Sequence, residues 1–306
     1  MPTGIVLLDK PAGLSSNAAL QRVRRLFGAG KAGHAGSLDP LATGMLPICL
    51  DEATKIAGEI LSSRKRYRFT LALGARTATG DAEGPILERA AVPELPRASI
   101  EAALGHFLGP GRQIPPMFSA LKRGGRPLYE LARAGVSVER EARAIELYEL
   151  TLLAQQHERL ELAAVCSKGT YVRVLAEDIA RALGTCGHVA ALRREWVAPF
   201  EHEPMHTLEA LEQRCGQADA WALELPADRP LGHLPAVHLD GARAERIRHG
   251  QAVQWAGTAA GKARLYDERG AFMGIGELAA GTVQPRRLLA QSTQEPSRGR
   301  SGGTPL

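Results

Sequence analysis

Residues 33–44, GHAGSLDPLATG, carry the side chains best placed to do chemistry: His34, Ser37 and Asp39. Glycine and proline at this density suit neither helix nor strand, so the segment reads as a loop whose carboxylate needs other means of support. Pro40 biases Asp39 toward extended backbone and removes a donor behind it. Leu38 and Leu41 are expected to anchor the loop in the core. Gly33, Gly36 and Gly44 are expected to let a bulky ligand approach the backbone. No second acid lies near Asp39 in sequence, which argues against a glycosidase-type acid pair. A lone, held aspartate suits a nucleophile or base acting on an electron-poor centre, provided that a cation keeps it ionised. Ser37 sits in no GxSxG elbow, and His34 has no neighbours at zinc-ligand spacing.

Gly28-Ala29-Gly30-Lys31-Ala32-Gly33 matches GxGxxG. A dinucleotide site needs that glycine run after a strand and before a helix. Here it follows a helix and opens a loop, so a nicotinamide oxidoreductase is the weaker alternative. A Walker A loop fails as well: Arg25 stands where its first glycine belongs, and no Ser or Thr follows Lys31. Cys49, Cys166, Cys186 and Cys215 form no CxxC pair and read as reduced, mostly buried thiols.

The elements that must position these groups follow from periodicity. GIVLLD at 4–9 reads as a buried strand. A turn at Lys10–Gly13 leads to a helix capped by Ser15 or Ser16 and running to about Phe27, with Leu20, Val23 and Phe27 on one face. Residues 45–50 form a second buried run, Glu52–Leu61 a helix, and Arg66–Leu73 a half-buried strand that begins at Tyr67. Residues 74–85 read as a loop and Ser99–Leu108 as a helix. Residues 109–127, rich in Pro, Gly and basic groups, look like an excursion from the main body. A short helix (Leu128–Ala134) and a strand (145–153) follow it. Residues 160–166 form a strand that resumes at 171–174, which would place Tyr171 and Arg173 on one side. A helix follows over Leu175–Leu183. Prolines at 226, 230 and 235 mark a linker. Beyond it stand a short helix (Gly241–His249) and β-runs at 262–267, 271–278 and 282–289, with a hairpin at Asp267–Gly270. Residues 291–306 read as a disordered tail.

The chain has 306 residues, 44% of them hydrophobic, and a net charge of +5. That length suggests two domains, and no apolar run is long enough to span a membrane. No signal peptide is read, so a cytoplasmic protein is expected. Basic residues cluster at Arg22, Arg24, Arg25 and Lys31; at Arg64, Lys65, Arg66 and Arg68; at Lys122, Arg123 and Arg126; at Arg193 and Arg194; and at Arg286 and Arg287. Such clusters suit a polyanion, and nucleic acid in particular.

HAGSLDPLATG resembles the catalytic loop of the TruB family of tRNA pseudouridine synthases. GIVLLDKPAGLSSN, RYRFTLALGARTATGDAEG, IPPMFSALK and CSKGTYVRVLAEDIARALG resemble further blocks of that family, in family order, to about residue 200. The resemblance implies an α+β fold: a central mixed, largely antiparallel sheet flanked by helices, over residues 1–235. An RNA-clamp insertion would occupy about 109–145, and a small β-rich, PUA-like RNA-binding domain would follow over 236–290. It implies isomerisation of uridine 55 in the tRNA T-loop to pseudouridine, with no cofactor, metal or nucleotide. Asp39 would be the catalytic carboxylate, adding to C1′, adding to the base or removing a C2′ proton. Arg173 would keep Asp39 ionised, and Tyr67 would stack on the uracil and could relay the C5 proton. Tyr171 would pack on or hydrogen-bond the target nucleotide, Leu192 would line the base pocket, and His34 would fill the stack vacated by the flipped base. Arg22, Arg25, Lys31, Lys122, Arg123 and Arg126 would hold phosphates. The partner would be the T-arm and T-loop of tRNA, the enzyme a monomer. A non-catalytic RNA-binding module is the alternative.

Overall fold

The computed structural model describes residues 3–215, 223–279 and 281–290. The first apolar run is β1 (Gly4–Lys10), buried along almost its whole length. Ser15 caps α1 (Ser16–Leu26) by accepting from the Ala18 amide, and Ala19, Leu20 and Val23 form the buried face. Gly28, at φ +59°, ends that helix. The glycine run then leads into β2 (Ala32–His34), so it opens a strand and not a helix. After β3 (Thr43–Leu50) the expected helix over Glu52–Leu61 is split into a 3-10 turn, Asp51–Lys55, and α2 (Ala57–Leu61). In β4 (Lys65–Leu73), Tyr67, Phe69, Leu71 and Leu73 alternate into the core as expected.

The stretch read as a loop at 74–85 contains β5 (Ala75–Thr77), which pairs with β6 (Ile86–Arg89). The next helix, α3, spans Arg97–Gly105. The excursion begins later than expected, because β7 (Gly109–Gln113) is a strand of the main sheet. A hairpin of β8 (Lys122–Arg123) and β9 (Arg126–Pro127) and a short helix, α4 (Leu128–Arg133), follow it. Then come β10 (Arg143–Gln156), β11 (Arg159–Cys166), α5 (Val172–Ala182), β12 (Gly187–Val197), α6 (Leu208–Cys215) and β13 (Leu225–Pro226).

Among the described residues the large sheet runs β13-β1-β3-β12-β4-β11-β10-β7, with β2 beside β3. Every pairing is antiparallel except β12 with β3, where Arg193 faces Thr43 and Arg194 faces Gly44. Helices α1 and α6 pack at the β1–β3 end over Val6, Leu8, Leu46 and Ile48. Helices α3 and α5 pack at the β4–β11–β10 end over Phe69, Leu71, Leu160 and Leu162. The parallel β12–β3 junction lies between these two cores, and the glycine-rich loop enters β3 beside it.

The chain divides into two compact units, one up to Pro230 and one from Leu231 on. The second holds a sheet of order β14 (Ala236–His238), β16 (Gly261–Tyr266), β17 (Phe272–Ala279), β18 (Thr282–Leu288), β15 (Val253–Gln254), with α7 (Gly241–Arg248). Val237, Ile247, Leu265, Leu278 and Val283 form its core. The hairpin expected at Asp267–Gly270 joins β16 to β17, and the Asp267 carboxylate accepts from the Arg269 and Ala271 amides. The tail expected at 291–306 lies outside the described residues.

Candidate active site

Arg173 reaches its place by a route the sequence reading missed. Residues 172–174 are not strand; α5 begins there, with Tyr171 as its extended N-cap residue. Val172, Leu175, Ala176, Ile179 and Ala180 recur at helical spacing and fill the core. That stripe overrides the short apolar run Tyr-Val-Arg-Val, which fits a strand locally. Tyr171 and Arg173 are therefore set by a helix start. Gln113, at the end of β7, holds that start: its Oε1 accepts from the Tyr171 amide at 2.9 Å and its Nε2 donates to the Tyr171 carbonyl at 3.3 Å.

The Arg173 guanidinium is 5% exposed and meets Asp39 in bidentate fashion, Nε to Oδ2 at 2.9 Å and Nη2 to Oδ1 at 3.2 Å. Its other protons go to the Thr79 carbonyl (Nη1, 2.7 Å) and the Phe118 carbonyl (Nη2, 2.7 Å). Asp81, buried, stands 3.8 Å from Nε and accepts from the Thr79 hydroxyl and the Glu83 amide. Asp39 is different: its side chain remains 37% exposed, so one carboxylate is both clamped and accessible. Burial pushes its pKa up, and the Arg173 charge opposes that without cancelling it. Arg173 also lines, with Thr77–Gly80, Gln113–Phe118, Arg140 and Glu177, a cavity of about 580 Å³.

The loop is held from below. Leu38 is buried, and Leu41 packs on the same cluster, as expected. The Ser16 hydroxyl accepts from the Leu38 amide at 2.7 Å and donates to the Leu38 carbonyl at 2.9 Å. Lys10 is fully buried; its Nζ donates to the carbonyls of Pro11, Leu14 and Pro40. Burial lowers its pKa to about 8, against the pull of Asp39. Two of these glycines make room for a group within the protein itself. A Cβ on Gly44 (φ +99°) would lie 2.1 Å from the Arg194 carbonyl oxygen, and one on Gly36 (φ +104°) 3.4 Å from Arg194 Nη1. What comes close to the loop at both positions is Arg194.

Tyr67 and Leu192 lie in the same buried cluster as Leu38 and Ala42. Burial raises the Tyr67 pKa, while the Arg194 charge opposes it. Burial also raises that of Tyr171. His34 sits on β2 opposite Ile48. Burial and the Arg194 charge lower its pKa, and its Nδ1 is buried without a partner among the described residues.

The basic residues are dispersed. Arg22 and Arg25 are exposed on α1, Lys31 pairs with Glu52 at 2.8 Å, and Lys122, Arg123 and Arg126 are exposed on the β8–β9 hairpin. Two of the clusters read as free basic surface are used internally. Arg66 binds Glu149 and Glu195, Arg68 binds Glu161, Arg193 binds Asp9, and Lys65 and Arg194 are buried. Lys10, Asp81 and Gln113 were not singled out from the sequence, and Arg194 was read only as part of a basic cluster. Lys10 and Arg194 did carry a signal, each being a charged residue at an inward position of a buried strand. Among the described residues no three His, Cys, Asp or Glu side chains converge as metal ligands would.

Residues 24–172 match the TruB family pseudouridylate synthase (N terminal domain). Residues 173–227 match the tRNA pseudouridylate synthase B C-terminal domain, and 235–289 the pseudouridine synthase II TruB C-terminal family. The chain is 51% identical over 290 residues to the tRNA pseudouridine synthase B of Chromohalobacter salexigens, covering 94% of each. The chain belongs to the TruB family of pseudouridine synthases. A TruB homologue of the same name from Coxiella burnetii (strain Dugway 5J108-111) is 48% identical over 291 residues, again 94% of each. As a pseudouridine synthase the enzyme is an isomerase, which sets aside both the oxidoreductase and the purely RNA-binding alternatives. The TruB fold is similar to a solved structure described as a Cbf5-Nop10-Gar1 complex (TM-score 0.72, 22% identity, 94% of this chain and 85% of that one). It is also similar to an H/ACA RNP bound to a substrate RNA containing 2'-deoxyuridine (TM-score 0.70, 21% identity, 94% and 86%). These two show the shared α+β fold.

Proposed function

We propose that this enzyme isomerises uridine 55 in the T-loop of tRNA, with Asp39 as the catalytic carboxylate. The observation that carries this reading is the Asp39–Arg173 pair: a carboxylate held in two-point contact by a buried guanidinium, yet open on its outer side. The N1–C1′ bond breaks, the uracil turns over and C5 bonds to C1′. The proton lost from C5 is balanced by one gained at N1, so no redox partner enters. Arg173 keeps Asp39 charged and aimed. Tyr67 and Leu192 form the floor under the uracil, with Tyr171 at its side. The uridine is unstacked from the loop at a cost of a few kcal/mol, and the neutral His34 ring takes its place in the stack. The β8–β9 hairpin within residues 109–145 clamps the T-arm by its phosphates, and the unit over 236–290 adds a second RNA contact. The enzyme acts as a monomer in the cytoplasm, with its tRNA substrate.

The test is incubation with a T-arm RNA followed by a count of pseudouridine at position 55. Wild type forms it, and Asp39→Asn binds the RNA but does not turn it over. Turnover by Asp39→Asn, or modification at another uridine only, would refute the assignment. His34→Ala weakens RNA binding more than the single-turnover rate at saturating enzyme.

A further inference from the structure

The two adjacent arginines of β12 have opposite fates. Arg193 reaches out to Asp9 in a two-point ion pair at 2.8 and 2.9 Å. Arg194 turns inward and is 1% exposed, among the largest fully buried side chains described. No carboxylate among the described residues lies within ion-pair distance of it. A buried guanidinium without a counter-charge is costly unless its protons are satisfied. Backbone carbonyls do this: Nε donates to Met45 at 2.7 Å, Nη2 to Gly36 at 2.9 Å and Nη1 to Ser37 at 3.5 Å.

Those three carbonyls bracket Asp39. Gly36 and Ser37 precede it and Met45 follows it, so one guanidinium ties together both ends of the loop that carries the carboxylate. The backbone is joined at the same place, where Arg194 pairs with Gly44 and the lack of a Gly44 side chain is what admits it. On its other edge Arg194 pairs with Tyr67 of β4, and the Arg194 charge opposes the burial that raises the Tyr67 pKa. A second buried cation stands beside it. Lys65 Nζ donates to the Leu61 and Ser63 carbonyls, and its Cε lies 3.7 Å from the position of a Gly36 Cβ.

We propose that Arg194 is a positioning residue for the isomerisation: its guanidinium holds the Gly36–Met45 loop while its backbone is paired with Tyr67, and so it fixes Asp39 and Tyr67 relative to one bound uridine. It touches neither substrate nor reacting atoms, and it acts through the two residues that do. This rests on the reading of Asp39 as the catalytic carboxylate. Misplacement of a reacting group by about 1 Å costs about 100-fold in rate, so the signature is a rate effect at saturation and not an affinity effect. Lysine keeps the charge but has a single nitrogen in place of the planar fork whose Nε and Nη2 separately reach Met45 and Gly36.

The experiment compares wild type, Arg194→Lys and Asp39→Asn by single-turnover pseudouridine formation at saturating enzyme, RNA binding and thermal melting. Arg194→Lys is expected to bind T-arm RNA within about twofold of wild type and to react about 100-fold more slowly. Adding Tyr67→Phe to Arg194→Lys should cost less than the two separate losses predict, because the residues act as a unit. If Arg194→Lys reacts at the wild-type rate while Asp39→Asn is inactive, the positioning role falls and the catalytic assignment stands. If Asp39→Asn is active, the catalytic assignment falls first. A lowered melting temperature with an unchanged saturated rate would make Arg194 merely structural and also overturn the proposal. Should Arg194→Lys not fold, Gly36→Ala displaces the same carbonyl from the loop side. A wild-type rate for that variant would overturn the proposal equally.

Discussion

Asp39 stands between two opposed forces. Burial pushes its carboxyl group up from the ordinary carboxylate range, the Arg173 charge pulls it down, and burial prevails. The proposed chemistry needs the ionised form, so the rate should fall as pH drops through the pKa of Asp39. That acid limb is expected to lie above the value of about 3.9 for a free aspartate. Arg173→Gln removes the opposing charge and should move the limb further toward neutral pH, as well as slowing the plateau. A single-turnover pH profile of both proteins checks the direction, and a limb that moves to lower pH in Arg173→Gln contradicts it. Lys10 reads the same charge from the other side. Its ammonium is held near 8 by burial, with Asp39 resisting. Asp39→Asn removes that resistance, so Lys10 should lose its proton at lower pH. Titration of the Lys10 side-chain nitrogen by NMR shows the shift.

At the scale of elements, the loop is carried by its neighbours. Ser16 is the first residue of α1, and its hydroxyl both accepts from and donates to the Leu38 backbone, next to Asp39. Ser16→Ala would leave the buried Leu38 amide and carbonyl without those bonds. The loss should be about 1–3 kcal/mol of stability, read from denaturant unfolding; a change near zero would mean that the loop repairs itself with water. These supports also mark the limit of what the sequence disclosed. Asp39 was legible because a proline and two leucines fix it within its own segment. The alternation of β4 was legible because it is one-sided burial over nine residues. The start of α5 was not, because four residues of alternating type fit a strand until the five-residue helical stripe beyond them is counted. The purpose of Gly44 was hidden for a stronger reason. The group that forbids its side chain is the Arg194 backbone, 150 residues away in sequence and adjacent only through the parallel β12–β3 pairing. Local composition can show that a glycine is needed, but not by whom.

At the scale of the whole molecule, the useful question about a chain of net charge +5 is which cations remain for a polyanion. Sequence clusters overstate the supply. Arg66, Arg68 and Arg193 are neutralised by Glu149, Glu195, Glu161 and Asp9, and Lys65 and Arg194 are committed to backbone carbonyls. Lys122 and Arg126 on the exposed β8–β9 hairpin are not engaged in that way: no ion pair to either occurs among the described residues. If the hairpin clamps RNA by its phosphates, each of these cations releases condensed counterions on binding. The slope of log affinity against log salt should then fall by about 0.7–0.9 for every contact removed. Lys122→Ala together with Arg126→Ala should lower the slope by roughly 1.5 and weaken T-arm binding mainly at low salt. Arg68→Ala removes a charge already paired with Glu161 and should leave the slope close to wild type. The saturated single-turnover rate should survive in both variants, since none of these side chains lies at Asp39. Equal slopes for the hairpin variant and wild type would place the phosphate contacts elsewhere and remove the clamp from the account.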